Sequence, residues 1–484
     1  MRNLLSRTTR TRRAALLAPC AAGLLVLGCA VPPTAAAAAA SGPADGPATT
    51  SRTAPAHTST ARTAPARTAP ARTAPLPPAL KTIDPAAFRS AVERAARRLM
   101  IPGAVVLLKT PQGTFRALVG TSELGTDRQP TTGDRFRIAS NTKTMTAALI
   151  VLLVQDGRLH LDDPVSDYVD GVPNGEHITL AQLLTMRSGL YNYTDAPELS
   201  ASLDADPAKA RTPRQMLDIA FRHPPAFAPG TSYAYSNTNY VLLGLVAEKA
   251  GGRPLQQQFQ ERLFAPLGLR GTSLPAPGDA SLPAPSAHGY MYGGTSYALV
   301  DRPYPADLRE AARSGKLRPT DYTRQNPSYA TAAGGAVSTA DDLATWIRAL
   351  VRGRVLDSSS QRQWRESPRA EDPAAPWGQK YGYGIAYQKF GPKASMYYHG
   401  GELPGFNSFI GHDPDNDVTL VIWTNLTLSP DGRTTANALL PTVLDQVYAG
   451  LALPAGPPGQ PAPAPSVSVR AARAPAGVLR CRSS

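Results

Sequence analysis

The chain has 484 residues, with Lys+Arg 50 against Asp+Glu 36, a formal charge of +14, and 48 prolines and 40 glycines. That charge is concentrated at the ends: residues 1–80 hold nine arginines and one acid (Asp45), residues 451–484 hold four arginines and no acid, and residues 81–450 are left near +2. A nearly neutral middle of this length is ample for a large core and has no basic footprint for nucleic acid, and the composition fits neither a collagen, a disulfide scaffold nor a polytopic membrane protein.

In chain order, residues 1–40 come first. Arg2, Arg7, Arg10, Arg12 and Arg13 precede an apolar run from Ala14 to Val31 and a small-residue tract, Thr34–Ala40. A basic start, a greasy stretch and alanines suited to a peptidase predict a secretory signal, hence a secreted or cell-envelope protein. Arg12-Arg13 loosely fits a twin-arginine signal, and Leu27-Gly28-Cys29 an imperfect lipidation site, with Leu27 bulky for that purpose. Residues 41–82 form a Pro-stiffened linker. They carry Ala-Arg-Thr-Ala-Pro three times, at 61–65, 66–70 and 71–75, without a large apolar residue to bury. Its arginines offer a contact to an anionic cell wall or membrane surface. Residues 451–484 read as a second Pro-rich tail. The three cysteines, Cys20, Cys29 and Cys481, all lie in these ends, so the middle has neither a disulfide nor a thiol nucleophile.

The middle, residues 83–450, opens with Asp84-Pro85, an N-cap followed by proline at the first helical position, and Phe88, Val92, Ala95 and Leu99 recur at helical spacing. Gly103–Lys109 and Phe115–Gly120 flank a turn and predict a hairpin. A helix is expected from Ser140 to a stop at Gly157, and others over Tyr240–Ala250 and Asp341–Val351. Ser395–Tyr398, Phe406–Gly411 and Val418–Trp423 predict three strands, with the acidic run Asp413–Asp417 as a hairpin turn. Strands at both ends with helices between predict an α+β fold, in which one sheet is assembled from distant segments with a helical insertion.

Three stretches carry chemistry. In Ser140-Asn141-Thr142-Lys143, a helix would place Lys143 one turn beyond Ser140, its amine within reach of a hydroxyl at a helix N-terminus. Of the nine lysines, only Lys143 has a serine three residues earlier. In Tyr235-Ser236-Asn237, a tyrosine beside a lysine ammonium would have its pKa lowered and relay protons, and an asparagine amide could hold a substrate amide. In Tyr398-His399-Gly400-Gly401-Glu402, a histidine closes a predicted strand and glycines let a ligand approach the backbone. Gly-x-Ser-x-Gly and His-Glu-x-x-His are both absent, so neither an α/β-hydrolase nor a metal hydrolase is expected.

In this order the three stretches resemble the serine β-lactamase and penicillin-recognising D-Ala-D-Ala peptidase family. Phe136-Arg137-Ile138-Ala139, Leu183–Leu190 and Ala333-Gly334-Gly335-Ala336-Val337-Ser338-Thr339 also look like that family. The resemblance covers essentially residues 83–450. It implies a β-lactamase/transpeptidase-like fold, an antiparallel sheet flanked by helices with a helical subdomain, and an acyl-enzyme on Ser140 without metal or organic cofactor. It further implies that Lys143 and Tyr235 manage the proton and that the amides of Ser140 and Glu402 form the oxyanion hole. Asn237, Gly401 and Glu402 would bind substrate, and His399 would polarise Tyr235 or contact a substrate carboxylate. Cell-wall D-alanyl-D-alanine peptides are the first expected substrate, with β-lactams as acylating inhibitors; an esterase, a β-lactamase, a D-aminopeptidase-type hydrolase and a non-enzymatic penicillin sensor are the alternatives. Two departures bear on substrate: Gly400 and Glu402 stand where related carboxypeptidases place threonines, and Ala386 where they place a carboxylate-binding arginine.

Overall fold

The computed structural model describes residues 79–300, 302–375 and 378–451; the predicted signal, most of the linker and the C-terminal tail beyond 451 lie outside them. Helix α1 spans Pro85–Arg98 and starts as expected: the Asp84 side chain accepts from the Ala87 amide at 2.7 Å, and Phe88, Val92, Ala95 and Ala96 are buried. Strands β1 (Gly103–Thr110) and β2 (Gly113–Gly120) form the predicted hairpin.

The chain then leaves the sheet for a mainly helical stretch. It includes α2 (Thr142–Gln155), α3 (Asn237–Gly251) and α4 (Ala340–Val351). It returns as strands β3 (Arg369–Ala370), β4 (Lys380–Tyr381), β5 (Ala386–Gly391), β6 (Ala394–Leu403), β7 (Phe406–Asp413) and β8 (Val418–Thr424), and ends in α5 (Thr435–Val447). The eight strands form one antiparallel sheet in the order β2-β1-β8-β7-β6-β5-β4-β3. The N-terminal hairpin is thus docked against the last strand, with Ala104 opposite Thr424 and Lys109 opposite Thr419.

Every residue of β7 and β8 is buried, so the sheet centre is covered on both faces. Helices α1 and α5 pack on each other and on the sheet, and α4 packs on β1, β7 and β8. Helices α2 and α3 pack together and bring the two halves of the candidate site side by side.

Strand β6 is longer than expected. It runs unbroken through His399-Gly400-Gly401-Glu402, which places His399 mid-strand. Glycine lowers intrinsic strand preference, but the ladder to β7 carries the segment, pairing His399 with Ile410 and Leu403 with Phe406. On its other edge β6 is paired by β5 only from Ala394 to Tyr398, so among the described residues the edge from His399 to Leu403 has no strand neighbour. Gly401 is a glycine for packing. A Cβ there would run into the carbonyl of Ile138 and the side chain of Asn141, just before and after Ser140, and into the side chain of Ser408 on β7. Gly401→Ala should cost about 1–3 kcal/mol through overpacking, read as a fall in thermal midpoint with the secondary structure kept; an unchanged midpoint would contradict this packing.

Candidate active site

Ser140 lies on a single 3-10 turn, Ala139–Asn141, and α2 begins after it at Thr142, two residues later than expected. The preceding Ala139 has φ of 51°, a left-handed conformation costly for a residue with a Cβ. Several bonds hold it. Thr142 Oγ1 donates to Ala139 O at 2.7 Å and accepts from the Ala336 amide at 3.1 Å, and Asn141 Nδ2 donates to Ile138 O at 2.9 Å and to Ser408 Oγ at 2.8 Å. The turn is thereby clamped between residue 336 and strand β7.

Lys143 is fully buried, and its Nζ lies 2.9 Å from Ser140 Oγ, 2.7 Å from Asn237 Oδ1 and 2.7 Å from Ala333 O. Among the described residues no ion pair is formed by Lys143, and burial pulls its pKa well below the usual lysine range. The hydrogen-bond arithmetic is specific. Two partners, a backbone carbonyl and an amide oxygen, can only accept. A neutral amine spends its two N–H groups on them and turns its lone pair to the one partner that can donate, the Ser140 hydroxyl. That arrangement is the one a base for Ser140 requires.

Tyr235 and Asn237 enter from the start of α3. The ring centroid of Tyr235 is 4.9 Å from Lys143 Nζ, and its buried hydroxyl faces Ser140 without completing a hydrogen bond of ordinary geometry. Here the expectation from sequence is reversed. Burial pushes the Tyr235 hydroxyl well above the usual phenol range; Ser140 pulls it back in part and Glu371 adds to the rise. With a neutral amine beside it there is no ammonium to lower it, so Tyr235 is held protonated. Asn237 uses both ends of its amide: Oδ1 on Lys143, and Nδ2 on Thr194 Oγ1 at 3.1 Å. Its backbone N–H donates to Asn192 Oδ1 at 2.9 Å.

His399 departs from both roles the resemblance gave it. It is fully buried, its Nε2 lies 3.0 Å from the Tyr381 hydroxyl and its Nδ1 2.6 Å from Gly400 O. Tyr381, rather than Tyr235, is its partner. Burial lowers its pKa to about 3, so it is neutral and offers no charge to a carboxylate. Ala386 is likewise buried and supplies no cation. Glu402 is half-buried, and its charge adds to the rise that burial gives the Tyr304 pKa. The two-residue turn Pro404-Gly405 makes Leu403 and Phe406 a hydrogen-bonded pair. By antiparallel alternation the Glu402 amide then points away from β7, toward the unpaired edge beside the serine turn.

The site thus brings Ser140, Lys143, Tyr235 and Asn237 together, with Gly401 packed beneath them. Sequence reading missed Tyr381 and the loop Asn192-Tyr193-Thr194-Asp195, which have no local pattern and arrive from separate segments, and gave the carbonyl of Ala333 no role although the stretch it begins stood out. Among the described residues, no group of three or more His, Cys, Asp or Glu side chains is placed to hold a metal ion.

The family profile described as Beta-lactamase matches residues 88–443. The chain belongs to the beta-lactamase family. It is similar in structure to a D-stereospecific amidohydrolase from Streptomyces sp. (31% identity, TM-score 0.62, covering 74% of this chain and 97% of the other). It is also similar to the D-amino acid amidase of Ochrobactrum anthropi SV3 (26%, TM-score 0.62, 75% and 96%). A D-alanyl-D-alanine-carboxypeptidase/endopeptidase of Escherichia coli K12 is 32% identical over 175 residues, 35% of this chain and 44% of that protein. This family member is a serine hydrolase of the β-lactamase and penicillin-binding type.

If neutral Lys143 is the base, acylation by an activated ester should rise with pH through the lowered lysine pKa and level off well below the ordinary lysine value of about 10.4. Activity is therefore lost as pH falls, when the amine takes up a proton. Lys143→Arg, permanently charged, should lower acylation by about 100-fold or more; a wild-type acid limb near pH 10 would contradict a neutral amine.

Proposed function

We propose that this chain is an exported serine acyl hydrolase that cleaves the amide bond following a D-configured residue by way of an acyl-enzyme on Ser140. The observation that carries this reading is the Lys143 amine, buried between two obligate acceptors with its lone pair left for the serine. As Ser140 Oγ bonds to the substrate carbonyl, its proton passes to Lys143 Nζ. The tetrahedral oxygen takes hydrogen bonds from the amides of Ser140 and Glu402, each worth about 2.7–4 kcal/mol of barrier. When the C–N bond breaks, the proton reaches the leaving nitrogen with the protonated Tyr235 as relay. Water then attacks the ester, releases the carboxylic acid and restores the serine. The signal-like residues 1–40 support export to the cell envelope, and β-lactams fit as acylating inhibitors.

The named relatives divide between two substrate readings, D-amino-acid amides and D-alanyl-D-alanine peptides. The first is favoured by one observation: buried, neutral His399 and Ala386 leave no positive charge where a terminal carboxylate would be clamped. Purified enzyme should release ammonia from D-alanine amide faster than from L-alanine amide, and faster than it releases D-alanine from diacetyl-Lys-D-Ala-D-Ala. Ser140→Ala should abolish all turnover, and Lys143→Ala and Tyr235→Phe should each cut it by roughly 100- to 10,000-fold. Faster, Ser140-dependent D-alanine release would establish the carboxypeptidase instead. Turnover surviving in Ser140→Ala would remove the mechanism.

A further inference from the structure

Asn237 is held by a loop that the site chemistry does not use. Asn192 accepts the Asn237 backbone N–H through Oδ1, and its Nδ2 donates to Asp195 Oδ1 at 2.8 Å. Because both ends of the Asn192 amide are engaged, its orientation is fixed, and so is the Asp195 carboxylate. Three hydrogen bonds connect the Lys143 amine to that carboxylate: Lys143 to Asn237, Asn237 to Asn192, and Asn192 to Asp195. Thr194, next to Asp195 in the chain, takes the Asn237 Nδ2 donor at 3.1 Å. The carboxylate therefore sits in the same wall as the amide expected to hold the acyl part of a substrate.

What Asp195 lacks is a cation. It is half-buried, and among the described residues its Oδ2 takes no hydrogen bond and no lysine, arginine or histidine is within ion-pair distance. The groups around it do not supply one. Tyr191 is neutral, with its pKa raised by burial and by Asp195 and Glu198; His223 is stacked on the Tyr191 ring at 3.9 Å; and Arg222 is paired with Glu198 at 3.0 Å. Burial raises the Asp195 carboxyl to about 6, with Asn192 acting in the opposite direction. A desolvated, oriented, uncompensated carboxylate beside a substrate wall is complementary to a positive group on the ligand.

Building on the functional reading above, we propose that Asp195 is the subsite for the free α-ammonium group of the residue that acylates Ser140, so that the enzyme selects unblocked, N-terminal D-aminoacyl groups. A carboxypeptidase acting inside a peptide has no such ammonium, since that nitrogen is already acylated. The charge-assisted pair forms only while both partners are ionised, above the Asp195 pKa near 6 and below the α-amine value of about 8.

The test compares D-alanine p-nitroanilide with N-acetyl-D-alanine p-nitroanilide on the full-length enzyme. The wild type should favour the free amine by about tenfold or more in kcat/KM near pH 7, and the ratio should shrink as pH falls below 6. Asp195→Asn should lose that preference mainly through KM, and Asp195→Glu should keep much of it. A wild type indifferent to acetylation overturns the proposal, as does an Asp195→Asn variant in which both substrates fall by the same factor, which is the signature of a merely structural residue. If neither anilide shows Ser140-dependent turnover, the functional reading itself fails and the ammonium subsite with it. Wild-type preference and its pH dependence need no variant, so the test stands even if Asp195→Asn folds poorly.

Discussion

A lysine amine buried with no counter-ion is the constraint around which the rest of this structure is arranged. Removing an ammonium from water is costly enough that the group gives up its proton. The neutral amine is useful only if its two N–H groups are occupied and its lone pair is aimed. Lys143 meets this with acceptors from different parts of the chain, Asn237 at the start of α3 and the carbonyl of Ala333, and both must arrive within hydrogen-bond distance. The close packing of α2 against α3 is therefore a chemical requirement as well as a source of core burial.

The same constraint reaches the sheet. Ser140 meets the amine because Ala139 is held in a left-handed conformation, and that strain persists through bonds to residues 336 and 408, far away in sequence. Gly401 lets β6 pass close enough to support the turn, and the missing strand partner beyond Tyr398 leaves a backbone edge facing it. Ser140, Lys143 and the amide of Glu402 thus sit on elements whose positions are fixed by the packed sheet centre.

Burial also sets the character of the substrate pocket. His399 is neutral because it is enclosed, and it is spent on Tyr381. The loop on the Asn237 side presents the Asp195 carboxylate. On the proposed reading, that carboxylate suits a positive group on the substrate rather than a terminal carboxylate. Without the fold this was only half visible, in Ala386, Gly400 and Glu402.

Much of the scaffold was legible in the residues. Asp84-Pro85 began a helix as its capping chemistry requires, the hairpin at 103–120 followed its turn, and the three late strands followed their β-rich runs. Ser140, Lys143, Tyr235 and Asn237 were readable because each lies in a short stretch whose chemistry is local. The sequence could not give the direction in which Tyr235 titrates, the charge of His399, the continuation of β6 through two glycines, or the company of Asp195. Those depend on desolvation and on partners drawn from distant segments. Residue types and near spacing are properties of the chain, whereas burial and the aim of a lone pair exist only once remote segments have packed together.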